Sequence, residues 1–491
     1  MADPQPPPRP SLPRRILAEL GLTALYRSPR DVKLLCLQRF VRLFAYGSST
    51  LILVSFLQAL GHSRARSGLF MTLTLAGDVC ISFLLTLVAD AVGRKAILAA
   101  GAALMAASGL VFACASSYWL LLAAAVLGVI SPSGNEIGPF RAVEESVVAH
   151  LTAKADRGDV YAWYSLVGTA GTACGMMVCG WAVHALRANL AWSLLEAYRA
   201  TFVGYAVLGL VKLMLALALS RAVEADKKPP EAAAAATETT PLLNGEQASA
   251  PQTKTKTKRW AALLPEISAE SKGITATLCI LFALDSFASG LAPLSWVTFF
   301  FRDRYGLEEG RLGSVFFTTS IISAASVIVA SSLAKRLGNV KVSPHPLGSQ
   351  ISPRDVRTSS LTPQTMVFTH LPSAIFLALI PIPQSLPLSL LFLVLRACTQ
   401  SMDVAPRSAF LAAVLLPAER TAVMGAVNVV KTTAQSLGPL ITGVLANRGL
   451  FWVSFVCAGS LKASYDLGLL AVFKNHERDQ EARERADQEA Q

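Results

Sequence analysis

Charged residues are scarce in this 491-residue sequence: Asp, Glu, Lys and Arg make up 15% of it, whereas hydrophobic residues make up 53%. Soluble domains carry about 25% charged residues, so this composition does not fit a chain that folds in water. Apolar stretches of roughly 20 residues recur along the whole length, and each is long enough as a helix to cross a bilayer. The alternating ten-residue segments of an outer-membrane barrel are missing. The sequence therefore predicts an all-α integral membrane protein.

Motifs for catalysis and for metal binding are also missing. No Walker-type phosphate loop, no cluster with metal-ligand spacing and no nucleophile elbow occurs, so ATP-driven pumping and membrane-embedded hydrolysis have no support in the sequence. The eight cysteines lie in apolar runs without paired spacing in the polar segments, and they are interpreted as small buried side chains. We therefore predict a protein that is not an enzyme and that needs no metal ion or cofactor.

The formal net charge of +12 raises the question of a nucleic-acid-binding surface. The basic residues, however, lie in loops between apolar runs and form no stripe with interleaved aromatic residues. Positive residues concentrate in the cytoplasmic loops of membrane proteins, and this rule explains the charge better. It places the N-terminal stretch and the central polar segment in the cytoplasm, with both termini. The predicted surroundings are a lipid bilayer, and no nucleic-acid partner is expected.

Twelve apolar segments are long enough to span a bilayer, six on each side of a polar central segment. Their predicted bounds are 35–59, 67–89, 96–116, 118–138, 160–184, 199–220, 273–300, 312–334, 365–382, 385–402, 421–445 and 450–472. The central segment is rich in Ala, Glu, Thr, Pro and Lys, which is typical of disorder. The predicted division is a cytoplasmic tail over 1–34, a six-helix bundle over 35–220, a disordered linker over 221–272, a second six-helix bundle over 273–473 and a charged cytoplasmic tail over 474–491.

The second half repeats features of the first half in the same order. The segment FAYG at 44–47 is matched by FASG at 287–290, and Glu136 is matched by Asp403, each acid standing three residues before a proline. Two parallel six-helix repeats are the internal symmetry of a large class of transporters. Chance matches between glycine-rich apolar helices are the alternative, but ordered matches in four regions favour a true repeat.

The loop after the second apolar segment carries a family resemblance. It reads DAVGRK over residues 90–95 and is similar to the signature G-x-x-x-D-R/K-x-G-R-R/K of the major facilitator superfamily of secondary transporters. Thr86 stands where the first glycine is usual, and Ala91 replaces the first basic residue. Other segments look like those of uncharacterised fungal members. The resemblance implies twelve transmembrane helices in two pseudo-symmetric six-helix bundles, transport by alternating access and a functional monomer.

The resemblance also implies a cytoplasmic latch that holds the outward-open state. Asp90 and Arg94 would act in it, with Glu144 or Glu145 as partners, and such a latch is a two-state contact that a bound substrate can bias. Acidic and basic residues near the cytoplasmic ends of spans four and ten are interpreted as gate residues, with interfacial anchoring as the alternative. The predicted gate and latch residues are Asp90, Gly93, Arg94, Lys95, Glu136, Arg141, Glu144, Asp403 and Arg407.

Charged side chains within the apolar segments are the candidates for a transport site, because each costs roughly 2.5–3.5 kcal/mol at the bilayer centre. Arg42 and Asp285 stand two residues before the repeated Phe-Ala-x-Gly motif of their halves. We therefore expect them to line one cavity as the substrate or proton-coupling site, with Asp285 titrating; a static ion pair is the alternative. Asp78, Arg396 and Lys431 are further cavity candidates, and a structural hydrogen bond is the alternative for Asp78.

The sequence thus predicts a secondary active transporter that moves a small solute by alternating access and is coupled to protons. The alternative is a non-transporting receptor or scaffold on the same fold, for which a closed, apolar cavity would be the mark. The direction of transport stays open. The predicted location is the plasma membrane or a vacuolar membrane. The vacuolar alternative comes from an acidic dileucine sorting pattern over residues 238–243.

Overall fold

The structure is a computed structural model. It describes residues 21–128, 130–133, 139–153, 156–224, 269–339, 363–402 and 420–489. At 82–91, 139–140, 142, 269–271, 327–339, 363–369, 420–422 and 473–489 it describes the backbone alone. The described chain forms fifteen α-helices and one short 3₁₀ helix, and it contains no β-strand. The all-α prediction is confirmed.

The first half holds eight of these α-helices. They are α1 (Leu22–Arg27), α2 (Arg30–Ala59), α3 (Arg64–Val92), α4 (Arg94–Cys114), α5 (Tyr118–Leu127), α6 (Pro139–Leu151), α7 (Arg157–Leu190) and α8 (Leu194–Leu217), followed by a 3₁₀ turn at Arg221–Val223. The fourth predicted span, 118–138, begins with α5, which ends at Leu127 with its C-cap at Gly128. Pro132 follows shortly after, and proline cannot donate the backbone hydrogen bond of a helix interior.

The second half holds the other seven. They are α9 (Ala269–Leu291), α10 (Leu294–Tyr305), α11 (Glu309–Asn339), α12 (Pro363–Leu379), α13 (Leu386–Thr399), α14 (Arg420–Asn447) and α15 (Phe451–Glu489). The seventh predicted span, 273–300, is broken in two, because the chain leaves α9 after Leu291 and Pro293 caps α10. The last helix continues past the predicted span end at residue 472.

The two halves repeat one packing pattern. In the first half α2 packs along α7 and α4 along α8; in the second half α9 packs along α14 and α12 along α15. These are the first and fifth, and the third and sixth, spans of each half. The halves meet most extensively along two helix pairs, α3 with α14 and α7 with α11, and to a smaller extent where α2 contacts α10. The repeat in the sequence is therefore also a repeat in packing.

Glycines allow the closest helix approaches. A Cβ atom placed on Gly175 would lie 1.9 Å from the carbonyl oxygen of Phe44, between α7 and α2. The equivalent place in the second half is the contact of Gly438 with Gly290, where a Cβ would lie 2.1 Å from the carbonyl carbon. Backbones touch at both places, so a larger side chain would force the helices apart.

Apolar helices of membrane-spanning length occur in both halves. Six described stretches are long and apolar enough to cross a bilayer: 30–59, 94–114, 157–190, 194–217, 272–305 and 451–472. Large apolar side chains such as Trp119, Met214 and Val429 are exposed on the outer surface, as expected for contact with lipid. The chain is a multi-pass membrane protein.

Candidate transport cavity

A cavity of about 750 Å³ lies between the two halves. Its lining comes from α2, α6 and α7 of the first half and from α9 to α15 of the second. Most of the side chains that line it are polar, and hydroxyl groups from α7 and α11 face it alongside charged groups. Known small-molecule sites have volumes of about 300–1,000 Å³, so the space is sufficient for a small solute.

Three of the five predicted cavity residues lie in the lining: Asp285, Arg396 and Lys431. The ammonium of Lys431 lies 5.4 Å from the ring centre of Phe282. Arg141, which was predicted as a gate residue, also lines the cavity.

Arg42 is not in the cavity lining, contrary to the prediction. Its two terminal nitrogens donate to the two carboxylate oxygens of Glu144 at 2.5 and 2.7 Å, and the Tyr164 hydroxyl donates to the same carboxylate. The side chains of this pair are 2% and 0% exposed. The expectation that Arg42 and Asp285 share one cavity is therefore wrong, because α6 supplies an acid within the same half.

Glu144 is correspondingly unavailable to the predicted latch, since its carboxylate is buried against Arg42. Asp78 also lies away from the cavity lining: it is 6% exposed on α3, and its Oδ1 has no hydrogen-bond partner among the described residues. The residue before it, Gly77, packs against Val126 of α5, where an added Cβ would lie 2.6 Å from a methyl carbon.

The partner of Asp285 is Lys462, which the sequence analysis did not single out. The Nζ atom of Lys462 donates to Asp285 Oδ1 at 2.6 Å and to Ser289 Oγ at 2.9 Å. One turn later on α15, Asp466 lies 2.9 Å from Nδ1 of His370. The signal in the sequence was the pair Lys462 and Asp466, two opposite charges four residues apart within an apolar span.

The signature loop is tied to its own half of the molecule. The backbone N–H groups of Arg94 and Lys95 donate to the carboxylate of Glu224 at 2.8 and 3.1 Å, and the Lys95 ammonium donates to the Leu219 carbonyl at 2.6 Å. Gly93 precedes them with a φ of 101°, which favours glycine. Four predicted gate and latch groups lie outside the description and stay predictions: the side chain of Asp90, and residues Glu136, Asp403 and Arg407.

The end of the bundle at which α2 ends and α3 begins, here called the far end, contains polar contacts between the two halves. It contains the helix connections at 60–63, 191–193, 306–308 and 448–450. A guanidinium nitrogen of Arg64 lies 2.7 Å from Oδ1 of Asp303, and Nδ1 of His184 lies 3.1 Å from Oε2 of Glu308. Glu309, 4% exposed, accepts a hydrogen bond from the Tyr198 hydroxyl at 2.8 Å.

A second layer of cross-half contacts lies deeper, next to the cavity. The backbone N–H and the hydroxyl of Ser295 both donate to the carbonyl of Pro132, at 3.3 and 2.6 Å. Ser133, the next residue, lines the cavity. Close backbone contact of Gly68 with Gly443 joins α3 to α14 on the same side. These contacts join the two halves between the cavity and the far end.

Known proteins share this architecture. The chain is 36% identical over 455 residues to an uncharacterized membrane protein of Saccharomyces cerevisiae, covering 90% of this chain and 94% of that protein. Among solved structures, a bacterial homolog of the human lysosomal transporter Spinster, inward-facing and unoccupied, matches with a TM-score of 0.58 at 15% identity, over 90% of this chain and 95% of that one.

Two further structures extend the likeness in fold. A D-xylose–proton symporter matches with a TM-score of 0.61 at 15% identity, over 92% of this chain and 97% of its own. A POT family transporter in complex with 5-aminolevulinic acid matches with a TM-score of 0.64 at 12% identity, over 91% of this chain and 96% of its own. The family model described as Major Facilitator Superfamily matches residues 35–345. The chain belongs to the major facilitator superfamily and has its fold of two pseudo-symmetric six-helix bundles.

Proposed function

We propose that this protein is a secondary active transporter that moves a small solute by alternating access and couples this movement to protons. The observation that carries the proposal is the polar cavity between the halves, which is lined by the ion pair of Asp285 and Lys462. A receptor or scaffold with a closed, apolar cavity is the alternative, and the charged lining argues against it.

Alternating access requires contacts that can break and reform. The Arg64–Asp303 ion pair, the contact between His184 and Glu308 and the two hydrogen bonds from Ser295 to Pro132 join the two halves on the side of the far end. Opening the far end requires the loss of these contacts. The free energy of contacts formed when the other end closes must offset that loss. Solute binding supplies the bias if the solute contacts both halves.

The coupling step is assigned to Asp285. When it is ionised, it holds the ammonium of Lys462; when it takes up a proton, the ion pair is lost and Lys462 becomes available to another acceptor. The titratable groups that face this pair are His370 and Asp466, and Asp466 interacts electrostatically with both members. A carboxylate that can exchange its amine partner for a proton within a water-accessible cavity is the kind of group that proton-driven transporters use.

The test is proton flux in proteoliposomes loaded with a pH-sensitive dye, measured as each of a broad panel of solutes is added outside. We expect at least one solute to move protons saturably in the unaltered protein. Asp285→Asn should abolish this flux and gradient-driven uptake, but leave exchange of labelled for unlabelled solute. Asp156→Asn, which changes an exposed aspartate outside the cavity, is the matched control. Unchanged coupling in Asp285→Asn would contradict the assignment.

A further inference from the structure

We propose that the ammonium group of Lys462 passes from Asp285 to Asp466 when Asp285 takes up its proton. Asp466 thereby serves as a second acceptor and stabilises the protonated state of the cavity. This inference rests on the proposed function, because it identifies the group that receives Lys462 after the coupling proton has bound.

Lys462 is bound to α9 in the structure. Its Nζ atom donates to Oδ1 of Asp285 at 2.6 Å and to Oγ of Ser289 at 2.9 Å. The side chains of Lys462 and Asp285 are 11% and 10% exposed. A proton on Asp285 leaves the ammonium with two neutral acceptors, and a charge at this depth is costly without an opposite charge. The protonated state therefore needs another anion for Lys462.

Asp466 is a second carboxylate within reach of Lys462. It lies four residues later on α15, which corresponds to about 6 Å along the helix axis. Side chains at this spacing are neighbours on one face of a helix, and the two groups already attract each other electrostatically. Because lysine has a flexible four-carbon stem, its ammonium can turn towards either acid.

The carboxylate of Asp466 can accept a second donor. It is buried, with 0% of its side chain exposed, and among the described residues its hydrogen-bond partner is His370, whose Nδ1 lies 2.9 and 3.0 Å from the two oxygens. An ionised carboxylate has about four acceptor positions. Asp466 can therefore bind the ammonium of Lys462 and keep His370.

The other charged groups around Lys462 offer it no acid. His370 of α12 already bonds Asp466 through Nδ1. Asp285 is the single carboxylate among the described residues that line the cavity. The remaining charged groups of the described lining are cations: Arg39, Arg141, Arg396 and Lys431. In the part of the chain that the structure describes, Asp466 is thus the acid to which Lys462 can turn.

The relative strength of the two acceptors sets the direction of the exchange. Asp285, while it is ionised, holds the ammonium by a direct hydrogen bond. A lysine that precedes an acid by four residues is the less favourable order of such a pair in a helix, so Asp466 is the weaker acceptor. Protonation of Asp285 removes the stronger acceptor, and the ammonium then moves to the weaker one.

The exchange connects the proton to the contact between the halves. Transfer of Lys462 to an acid of its own helix releases α9 from α15 at Asp285 and Ser289. The chain leaves α9 shortly after these residues and continues to Ser295, which donates to Pro132 of the other half. Proton uptake therefore acts on the segment whose contacts must change in alternating access.

The first test detects the partner of Lys462 and needs no knowledge of the solute. The full-length protein is made by cell-free synthesis with lysine isotope-labelled at Nζ and aspartate isotope-labelled at Cγ. In liposomes, solid-state NMR then measures the short-range coupling between the labels, and the part that Lys462→Gln removes belongs to Lys462. In Asp285→Asn, which imitates the protonated acid, we expect this signal to persist because Lys462 contacts Asp466.

A second substitution identifies the acid that holds Lys462 in the Asp285→Asn protein. Asp466→Glu keeps the negative charge, which preserves the fold, but it removes the labelled carbon, so the signal should be lost. Asp156→Glu, at an exposed aspartate outside the cavity, is the matched control and should leave the signal unchanged. Loss of the signal in Asp285→Asn alone, or its persistence after Asp466→Glu, would overturn the inference.

The second test is exchange of labelled for unlabelled solute in proteoliposomes, with a solute that drives proton flux in the unaltered protein. Asp285→Asn should retain this exchange. Adding Asp466→Asn should slow it about tenfold or more, because the ammonium then has no opposite charge. Adding Lys462→Gln as well should restore it, because no ammonium remains to be neutralised. A merely structural role of Asp466 predicts no such rescue, so its failure would count against the inference.

The outcomes separate this inference from the proposed function. The NMR signal requires neither solute nor flux, so a contact of Lys462 with Asp466 in Asp285→Asn would support the exchange of partners even if no solute moved protons. Proton-coupled flux in the unaltered protein, together with loss of the NMR signal in Asp285→Asn, would keep the transporter and overturn the exchange.

Discussion

Arg42 and Glu144 form a two-bond ion pair that is buried entirely within the first half of the molecule, with nitrogen–oxygen distances of 2.5 and 2.7 Å. Tyr164 of α7 donates to the same carboxylate, and Lys212 of α8 interacts with it electrostatically. Four helices of one half therefore converge on a single carboxylate. This arrangement joins them into one body, which alternating access between two moving halves requires.

Replacing Glu144 by glutamine should strongly destabilise the protein, because it leaves the buried Arg42 without its counter-charge. Breaking one side of a buried pair costs about 3–5 kcal/mol. Thermal denaturation in detergent is the measurement. The control is Glu145→Gln in the half-exposed pair with Arg141, expected to cost under about 1 kcal/mol. Equal destabilisation by the two variants would show that the buried pair has no special role.

Glu309→Gln should shift the protein towards a state open at the far end. The carboxylate accepts from Tyr198 across the halves and lies 3.2 Å from Arg302, and a hydrogen bond to a charged group is worth about 1.5–3 kcal/mol. The distance between spin labels at Ser63→Cys and Arg448→Cys reports the opening. Glu308→Gln changes the neighbouring acid, whose 60% exposed side chain contacts His184 across the halves, and should give a smaller opening than Glu309→Gln. A far end that stays closed in Glu309→Gln would contradict this role.

Gly180→Ala should also open the far end, for a steric reason. Its new Cβ would lie 2.2 Å from the backbone carbonyl oxygen of Glu309 in the other half, whereas a Cβ on Gly204 would meet nothing within 4 Å. Gly204→Ala is therefore the matched control and should leave the label distance and the melting temperature unchanged. Identical label distances in the two variants would contradict the prediction that Gly180→Ala opens the far end.

Glu224→Ala should loosen the start of α4. The carboxylate accepts from the first two backbone N–H groups of this helix, and loss of such a cap costs about 0.5–2 kcal/mol. Hydrogen exchange of the amides at 94–97 should accelerate. Glu224→Gln, which keeps an acceptor oxygen but loses the charge, should give a smaller acceleration. Exchange rates unchanged in both variants would refute the capping role.

His62 should make stability sensitive to mild acid at the far end. Burial, and then the charge of Arg66, lowers the pKa of His62 below its usual value of about 6.5. The folded state therefore disfavours the protonated ring, so stability is complete above that value and falls as the pH drops below it. Melting temperatures measured from about pH 7.5 down to pH 5.5 should show this decrease, and His62→Gln should make it shallower. An unchanged slope in the variant would rule His62 out as its source.

The fold was accessible from the sequence because span length and the internal repeat both follow from local pattern. Asp285, Arg396 and Lys431 could be placed at the cavity because a charge at bilayer depth needs water or a partner. The identity of that partner could not be predicted, since it depends on how the helices are rotated against one another. Arg42 illustrates this: its position by symmetry suggested Asp285, whereas packing brings Glu144 to it.

The breaks in spans four and seven show the same limit. Gly128 and Pro293 are visible in the sequence, yet glycine and proline are tolerated within membrane helices, so their presence alone does not locate a break. The structure shows why these two matter: the segments after the breaks supply Pro132 and Ser295, whose hydrogen bonds join the two halves next to the cavity.

The glycine contact between α3 and α14 has a thermodynamic consequence for the proposed transport cycle. Gly68 and Gly443 touch backbone to backbone, without side chains that must be ordered when the surfaces meet. Immobilising a long side chain costs up to about 2 kcal/mol of rotamer entropy, and this surface escapes that cost each time it re-forms. The helices can therefore part and rejoin with little entropic resistance at this point, which leaves the balance between the two states to the ion pairs and to the contents of the cavity.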